Sequence, residues 1–153
     1  MRCSTRDFLG YAGLIPFIFL SIYIAIYSST SINILVFSSY SAIISSFIAG
    51  TLWGQALHIN SVNRTALFIF SNFLSLAAWF SVLLILLNFT VVGIYLLLII
   101  NVLLWVVEKF FLWKALDFEL LDRLHHYWKL RGNLTLLVAA AHVVTILSLT
   151  LKA

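Results

Sequence analysis

Apolar residues run almost unbroken through five stretches of this chain, 8–27, 34–57, 65–87, 91–113 and 134–151, separated by short polar or charged breaks. Each run holds 18 to 24 residues. At about 1.5 Å of rise per residue, a helix of that length crosses a hydrocarbon core of roughly 30 Å. Barrel strands are disfavoured, because they alternate polar and apolar positions over about ten residues and these runs do not. Helices also satisfy their own backbone groups in lipid. The pattern predicts an all-α integral membrane bundle of five transmembrane helices forming a single domain over 1–153. The break Asn88-Phe89-Thr90 is so short that the third and fourth spans must be antiparallel neighbours.

Composition sharpens this picture. Of 153 residues, 63% are hydrophobic and 9% charged, and the mean hydropathy is +1.12. A soluble domain carries about 45–50% apolar and about 25% charged residues. The single Cys3 excludes an intrachain disulfide and any cysteine-cluster metal site. The run at 8–27 is longer than the roughly 7–15-residue hydrophobic region of a secretory signal, so it is expected to be an uncleaved first span.

The formal net charge is +4, and its meaning lies in its placement. Threading the spans alternately puts Arg2, Arg6, Arg64, Lys109, Lys114, Arg123, Lys129 and Arg131 on one side and Lys152 on the other. The positive-inside rule then predicts an N-terminus inside, on the cytoplasmic or matrix face, and a C-terminus outside. The basic residues are spread over three short inner segments, which argues against nucleic-acid binding and for contact with the lipid bilayer. Between spans four and five, Leu116, Leu120, Leu124, Tyr127 and Trp128 recur at helical spacing, with Asp117, Asp122, Arg123, His125 and Lys129 on other faces. That spacing predicts an amphipathic inner segment over 114–131, lying at the interface or extending span four.

Two features of the spans concern packing. Ser38, Ala42, Ser46, Gly50 and Gly54 repeat every fourth residue and predict a seam of small side chains, against another helix of the bundle or in a homodimer. Replacing Gly50 by leucine would then loosen the bundle. Pro16, the only proline, removes a helical hydrogen bond from the middle of span one and is expected to bend it.

Polar groups at membrane depth are the candidate site. Asn101 and His142 stand near the midpoints of spans four and five. They can share a hydrogen bond, or His142 can respond to protons or touch a ligand. Trp53, Gln55, His58 and Glu108 lie near the inner ends of spans two and four and can line a common vestibule. Glu108 needs a cation, with Arg64, Lys114 and Arg131 as candidates, and Lys109 can lie across Trp105 or Trp113. His142 lies too deep to sandwich one iron with His58; His58, His125 and His126 share the inner side, but no helical HExxH or carboxylate set is present, so no metal and no cofactor are expected. Catalytic motifs such as GxSxG and the P-loop are also lacking, which argues against an enzyme.

Several segments together carry a resemblance. Ala12-Gly13-Leu14-Ile15-Pro16-Phe17, then Tyr40-Ser41-Ala42-Ile43-Ile44 with Phe47, Gly50, Trp53 and Gly54, then Ser75-Leu76-Ala77-Ala78-Trp79, and finally Tyr127-Trp128-Lys129-Leu130-Arg131 with Leu134-Thr135 resemble the family called domain of unknown function 3429. The family pattern often has histidine where this chain has Leu52 and proline where it has Leu74. The resemblance implies a small five-helix protein of a bacterial inner membrane, or of the mitochondrial inner membrane in animals. The leading expectation is a non-enzymatic binder of a lipid, quinone or other hydrophobic small molecule, or an accessory factor of a membrane complex. A small oligomeric transporter or channel subunit is the alternative.

Overall fold

The computed structural model describes residues 5–27, 30–57, 63–115 and 125–152. Cys3, His58 and the stretch 116–124 lie outside them. All described elements are helices: α1 Thr5–Ala12, α2 Ile15–Ile26, α3 Ser31–Ala56, α4 Asn63–Leu86, α5 Thr90–Ala115 and α6 His125–Lys152. Among the described residues five stretches are long and apolar enough to cross a membrane: Asp7–Ile26, which contains α1 and α2, and then Ser31–Ala56, Arg64–Leu86, Thr90–Phe111 and Tyr127–Leu151. Only 22% to 39% of each span is buried inside the protein. The rest displays large apolar side chains such as Phe19, Phe47, Leu76 and Trp79, a surface that suits lipid and not water. The chain is thus a multi-pass membrane protein by its helices.

Each helix packs on the next in sequence from α2 to α6, and α6 returns to pack on α2, so the bundle closes. Tyr40 faces Gly13 and Phe17 faces Phe37, which makes α2 and α3 antiparallel. Gly10 sits against Leu134 and Phe17 beside His142, so the first span and α6 run in the same direction. The core includes Phe17, Phe37, Leu52, Leu97 and Leu104. Most buried hydroxyls answer their own helix: Ser45, Ser81, Thr135, Thr145 and Ser148 each donate to the carbonyl four residues earlier, which removes the cost of an unpaired donor in an apolar interior.

Pro16 does more than bend the first span. The helix stops at Ala12, passes Gly13 and Leu14, and restarts at Ile15. Proline has no N–H to donate and suits the first turn of a helix. The Gly13 carbonyl at the break accepts a 2.8 Å hydrogen bond from the Tyr40 hydroxyl. A residue on the second span thereby satisfies the backbone that the interruption exposes.

The turn between α4 and α5 explains the brevity of its sequence. Asn88 takes a left-handed φ of 69°, which asparagine tolerates better than most residues. Phe89 N donates to Leu84 O at 2.9 Å and Asn88 N to Ile85 O at 3.1 Å, the paired bonds of a Schellman cap. Four residues on, buried Gly93 allows a close approach: a Cβ there would lie 2.7 Å from the Ser81 backbone oxygen on α4.

Two expectations are corrected. The stripe from Ser38 to Gly54 does not form one seam within the bundle. Ser38 and Ala42 are buried and Ser46 is half-buried, but Gly50 and Gly54 are exposed, with nothing within 4 Å of where a Cβ would stand. A four-residue step advances about 40° around a helix, so four steps turn the stripe by roughly 160°, from the core to the outside. The buried small positions of α3 are Ser38, Ser41, Ala42, Ser45, Ala49 and Ala56, whose spacings of three, four and seven residues keep them on one face. The second correction concerns the start of the last span. Tyr127 to Asn133 belong to α6, which begins at His125, and not to a separate interfacial helix. The polar run from Lys129 to Asn133 lies within this helix, and Arg131 there pairs with Glu108 on α5.

Candidate functional site

Two polar clusters lie inside the bundle, one at mid-depth and one at the end where α6 begins. At mid-depth, His142 is fully buried. Its Nδ1 lies 2.8 Å from Val138 O, and its Nε2 lies 2.9 Å from Ser41 Oγ. A carbonyl only accepts, so Nδ1 carries hydrogen and the neutral ring presents Nε2 as the acceptor for the Ser41 hydroxyl. Asn101 Nδ2 donates to Ser41 Oγ at 3.2 Å and to Leu97 O at 2.9 Å. A directed chain therefore runs from α5 through α3 to α6. Asn101 and His142 do share a depth, as their positions in the sequence suggest, but Ser41 stands between them. Phe37 and Phe17 close over the imidazole, with centroids 4.9 and 5.8 Å away. Every member of the chain has a partner, and Ser41 and His142 are sealed from solvent.

At the other cluster, Glu108 is 1% exposed. Arg131 Nε donates to its Oε2 at 3.0 Å, and the Tyr127 hydroxyl donates to its Oε1. Among the described residues, Glu108 pairs with Arg131 on α6. The guanidinium is not used up by this pair: its buried Nη2 has no hydrogen-bond partner among the described residues. Lys109, one residue beyond Glu108, points outward with Nζ 5.2 Å from the Trp105 ring centroid.

A cavity of about 270 Å³ connects the two clusters. Its walls come from the first span (Leu14, Phe17), from α3 (Ile44, Ile48) and from α6 (Leu134, Val138). Leu9 and Phe47, both exposed, stand at its edge, so it opens sideways toward the surroundings of the bundle. Against these apolar walls it has few polar side chains: Asn101, Tyr127, Arg131, Thr51 and Thr135. Its volume lies near the low end of small-ligand sites, roughly 300–1,000 Å³. Gly10 and Gly13, on either side of the helix stop at Ala12, line the recess without side chains.

Of the four residues expected to line a vestibule, Trp53, Gln55 and Glu108 are among the described residues. Trp53 is exposed and meets Phe68 edge-on at 5.5 Å. Gln55 is half-buried, and its Oε1 has no hydrogen-bond partner among the described residues. His58 lies outside the described residues, and Glu108 turns to Arg131 and Tyr127. Of the expected ligand-contacting residues that are described, Asn101 lines the cavity. The sequence reading missed Tyr127 and Arg131 as lining residues because they sit in what looked like a connector. Their spacing of four residues, which stacks them on one helical face toward Glu108, was the available signal.

A second recess, about 550 Å³ between α4 and α5, is lined by Phe73, Leu76, Trp79, Ile99 and other apolar residues only. It offers nothing to orient a ligand and resembles the outer surface that lipid tails would cover. Among the described residues, no group of three or more His, Cys, Asp or Glu is placed to hold a metal ion.

Comparison with known proteins is consistent with this architecture and says nothing of chemistry. A search of curated proteins and a search of solved structures found no match. Residues 5–147 match the family model described as protein of unknown function, DUF3429, a match over nearly the whole chain, and the chain belongs to that family.

Proposed function

We propose that this multi-pass membrane protein is a non-enzymatic binder of a hydrophobic ligand with a polar head, held in the cavity between the first span, α3 and α6. One observation carries the reading: Arg131, Tyr127 and Asn101 line a largely apolar recess that opens sideways. Apolar walls with a few placed polar groups are the usual composition of a small-molecule site, and a lateral mouth lets a ligand enter from the bilayer. Binding would serve the protein itself or a membrane complex that it assists. The same proposal places the N-terminus and the Glu108–Arg131 end on the cytoplasmic or matrix side of an inner membrane, following the basic residues.

A small oligomeric transporter would use Glu108 and His142 as its carriers. Glu108 is held by Arg131 and Tyr127, and His142 is enclosed by Phe17 and Phe37, so neither faces a path. Native mass spectrometry of protein extracted in mild detergent tests the binder. One amphiphile of defined mass should copurify and be lost from Thr51→Trp, which fills the recess from α3. Absence of any such ligand, or its retention in Thr51→Trp, would contradict the reading.

A further inference from the structure

The hydrogen-bond chain at mid-depth has a direction, and its open end is Asn101. His142 Nδ1 is committed to Val138 O at 2.8 Å, so Nε2 accepts from the Ser41 hydroxyl, and the Ser41 oxygen in turn accepts from Asn101 Nδ2. The second N–H of the same amide goes to Leu97 O at 2.9 Å, and a backbone carbonyl there fixes which amide atom is the nitrogen. Both Asn101 donors are therefore committed, and the chain begins at its Oδ1. That oxygen accepts from none of the described residues, yet it is not one of the buried atoms sealed off without a partner. Asn101 is 5% exposed and lines the cavity.

The hydroxyls of the lining are committed too. Thr51 donates to Ile48 O at 2.7 Å, Thr135 to Arg131 O at 3.0 Å, and Tyr127 to Glu108. Each could donate to a ligand only by abandoning its present acceptor. Arg131, the remaining polar side chain of the lining, is held by Glu108, which lies seven residues from Asn101 on α5, about 10 Å along the helix axis. The mid-depth end thus offers lone pairs. A carbonyl, ether or carboxylate there would set lone pair against lone pair, and an alkane would leave Oδ1 without a donor in an apolar recess.

Resting on the binder reading above, we propose that the ligand is an amphiphile whose head is an uncharged hydroxyl, as in a hydroquinone or a diacylglycerol, and that this hydroxyl donates to Asn101 Oδ1. It heads the chain that runs through Ser41 to His142, in which each bond polarises the next. Its tail lies along Ile44, Ile48 and Leu134 toward the lateral mouth at Leu9 and Phe47. An ammonium head would also donate, but among the described residues the lining holds no carboxylate to balance its charge.

The test is a titration in detergent of the full chain, followed by native mass spectrometry, with three probes of equal length: 1-hexadecanol, which donates and accepts, 1-methoxypentadecane, which only accepts, and heptadecane, which does neither. The alcohol should bind about fivefold more tightly than either of the others, the size expected of one neutral hydrogen bond. Asn101→Leu should abolish that preference. If the variant does not fold, the three-probe series on the unaltered chain decides alone. An ether that binds as tightly as the alcohol would overturn the donor head, and an alcohol preference retained in Asn101→Leu would overturn the role of Asn101. Equal binding of all three would overturn the hydroxyl contact while leaving a hydrophobic-ligand site standing. Saturable binding of none of the three would remove both. Decylhydroquinone and dioctanoylglycerol, run in parallel, tell a phenolic source from a glycerolipid source of the same hydroxyl.

Discussion

The Ser41 hydroxyl lies 2.9 Å from His142 Nε2 and joins residues 101 positions apart in the chain at the centre of the bundle. It donates to the ring and accepts from Asn101, so removing it leaves His142 Nε2 without its donor and Asn101 Nδ2 with only its bond to Leu97 O. Ser41→Ala should lower stability by about 1–2 kcal/mol, within the range for interhelical hydrogen bonds in membranes. Combining it with His142→Phe, which extends the Phe17–Phe37 aromatic cluster, should cost less than the sum of the single changes. Unfolding in mixed micelles gives the cycle, and strict additivity would show that the bond contributes nothing.

Glycine matters at Gly93, not at Gly50. Gly93→Ala forces a methyl to 2.7 Å from the Ser81 backbone, and overpacking of this kind costs about 1–3 kcal/mol. Gly50→Ala meets open space and gains about 0.5–1 kcal/mol of helix propensity. Thermal denaturation in detergent should show a lowered midpoint for the first and an unchanged or raised one for the second.

Breaking the ion pair from one side should be worse than removing it. Glu108→Gln leaves the Arg131 charge buried and should destabilise by about 3–5 kcal/mol. Glu108→Gln with Arg131→Met should recover part of that loss, measured by the same unfolding assay. A double variant less stable than the single one would mean that Arg131 is held by some other group.

Much of this architecture was legible because apolar runs of 18 to 24 residues have one stable form in lipid. The shared depth of Asn101 and His142 was legible for the same reason, since rise per residue converts position into depth. What failed was facing. The stripe ending at Gly50 and Gly54 looks continuous in one dimension and turns outward in three. Tyr127 and Arg131 looked interfacial because hydropathy counts a charge as a break, whereas a charge paired across helices continues the span. Ser41 stood only within a family-like segment, and the sign of its facing was the three- and four-residue spacing from Ser38 and to Ser45, which marks the buried face of α3.

The direction of insertion is a separate expectation. Reporter fusions should place the N-terminus inside and the C-terminus outside, because the five spans are an odd number and the basic residues cluster at one end. Both termini reporting the same compartment would contradict it.

Photolabelling tests the central claim most directly. A long-chain alcohol bearing a diazirine on its tail, irradiated with the protein in nanodiscs and mapped by peptide mass spectrometry, should label Ile44, Ile48 and Leu134 at the cavity wall. An excess of unlabelled 1-hexadecanol should suppress that labelling. Labels spread without competition over the outward residues Phe73, Leu76 and Ile99 would show that the chain meets such molecules only as bulk lipid, and that the recess between the first span, α3 and α6 is not a binding site.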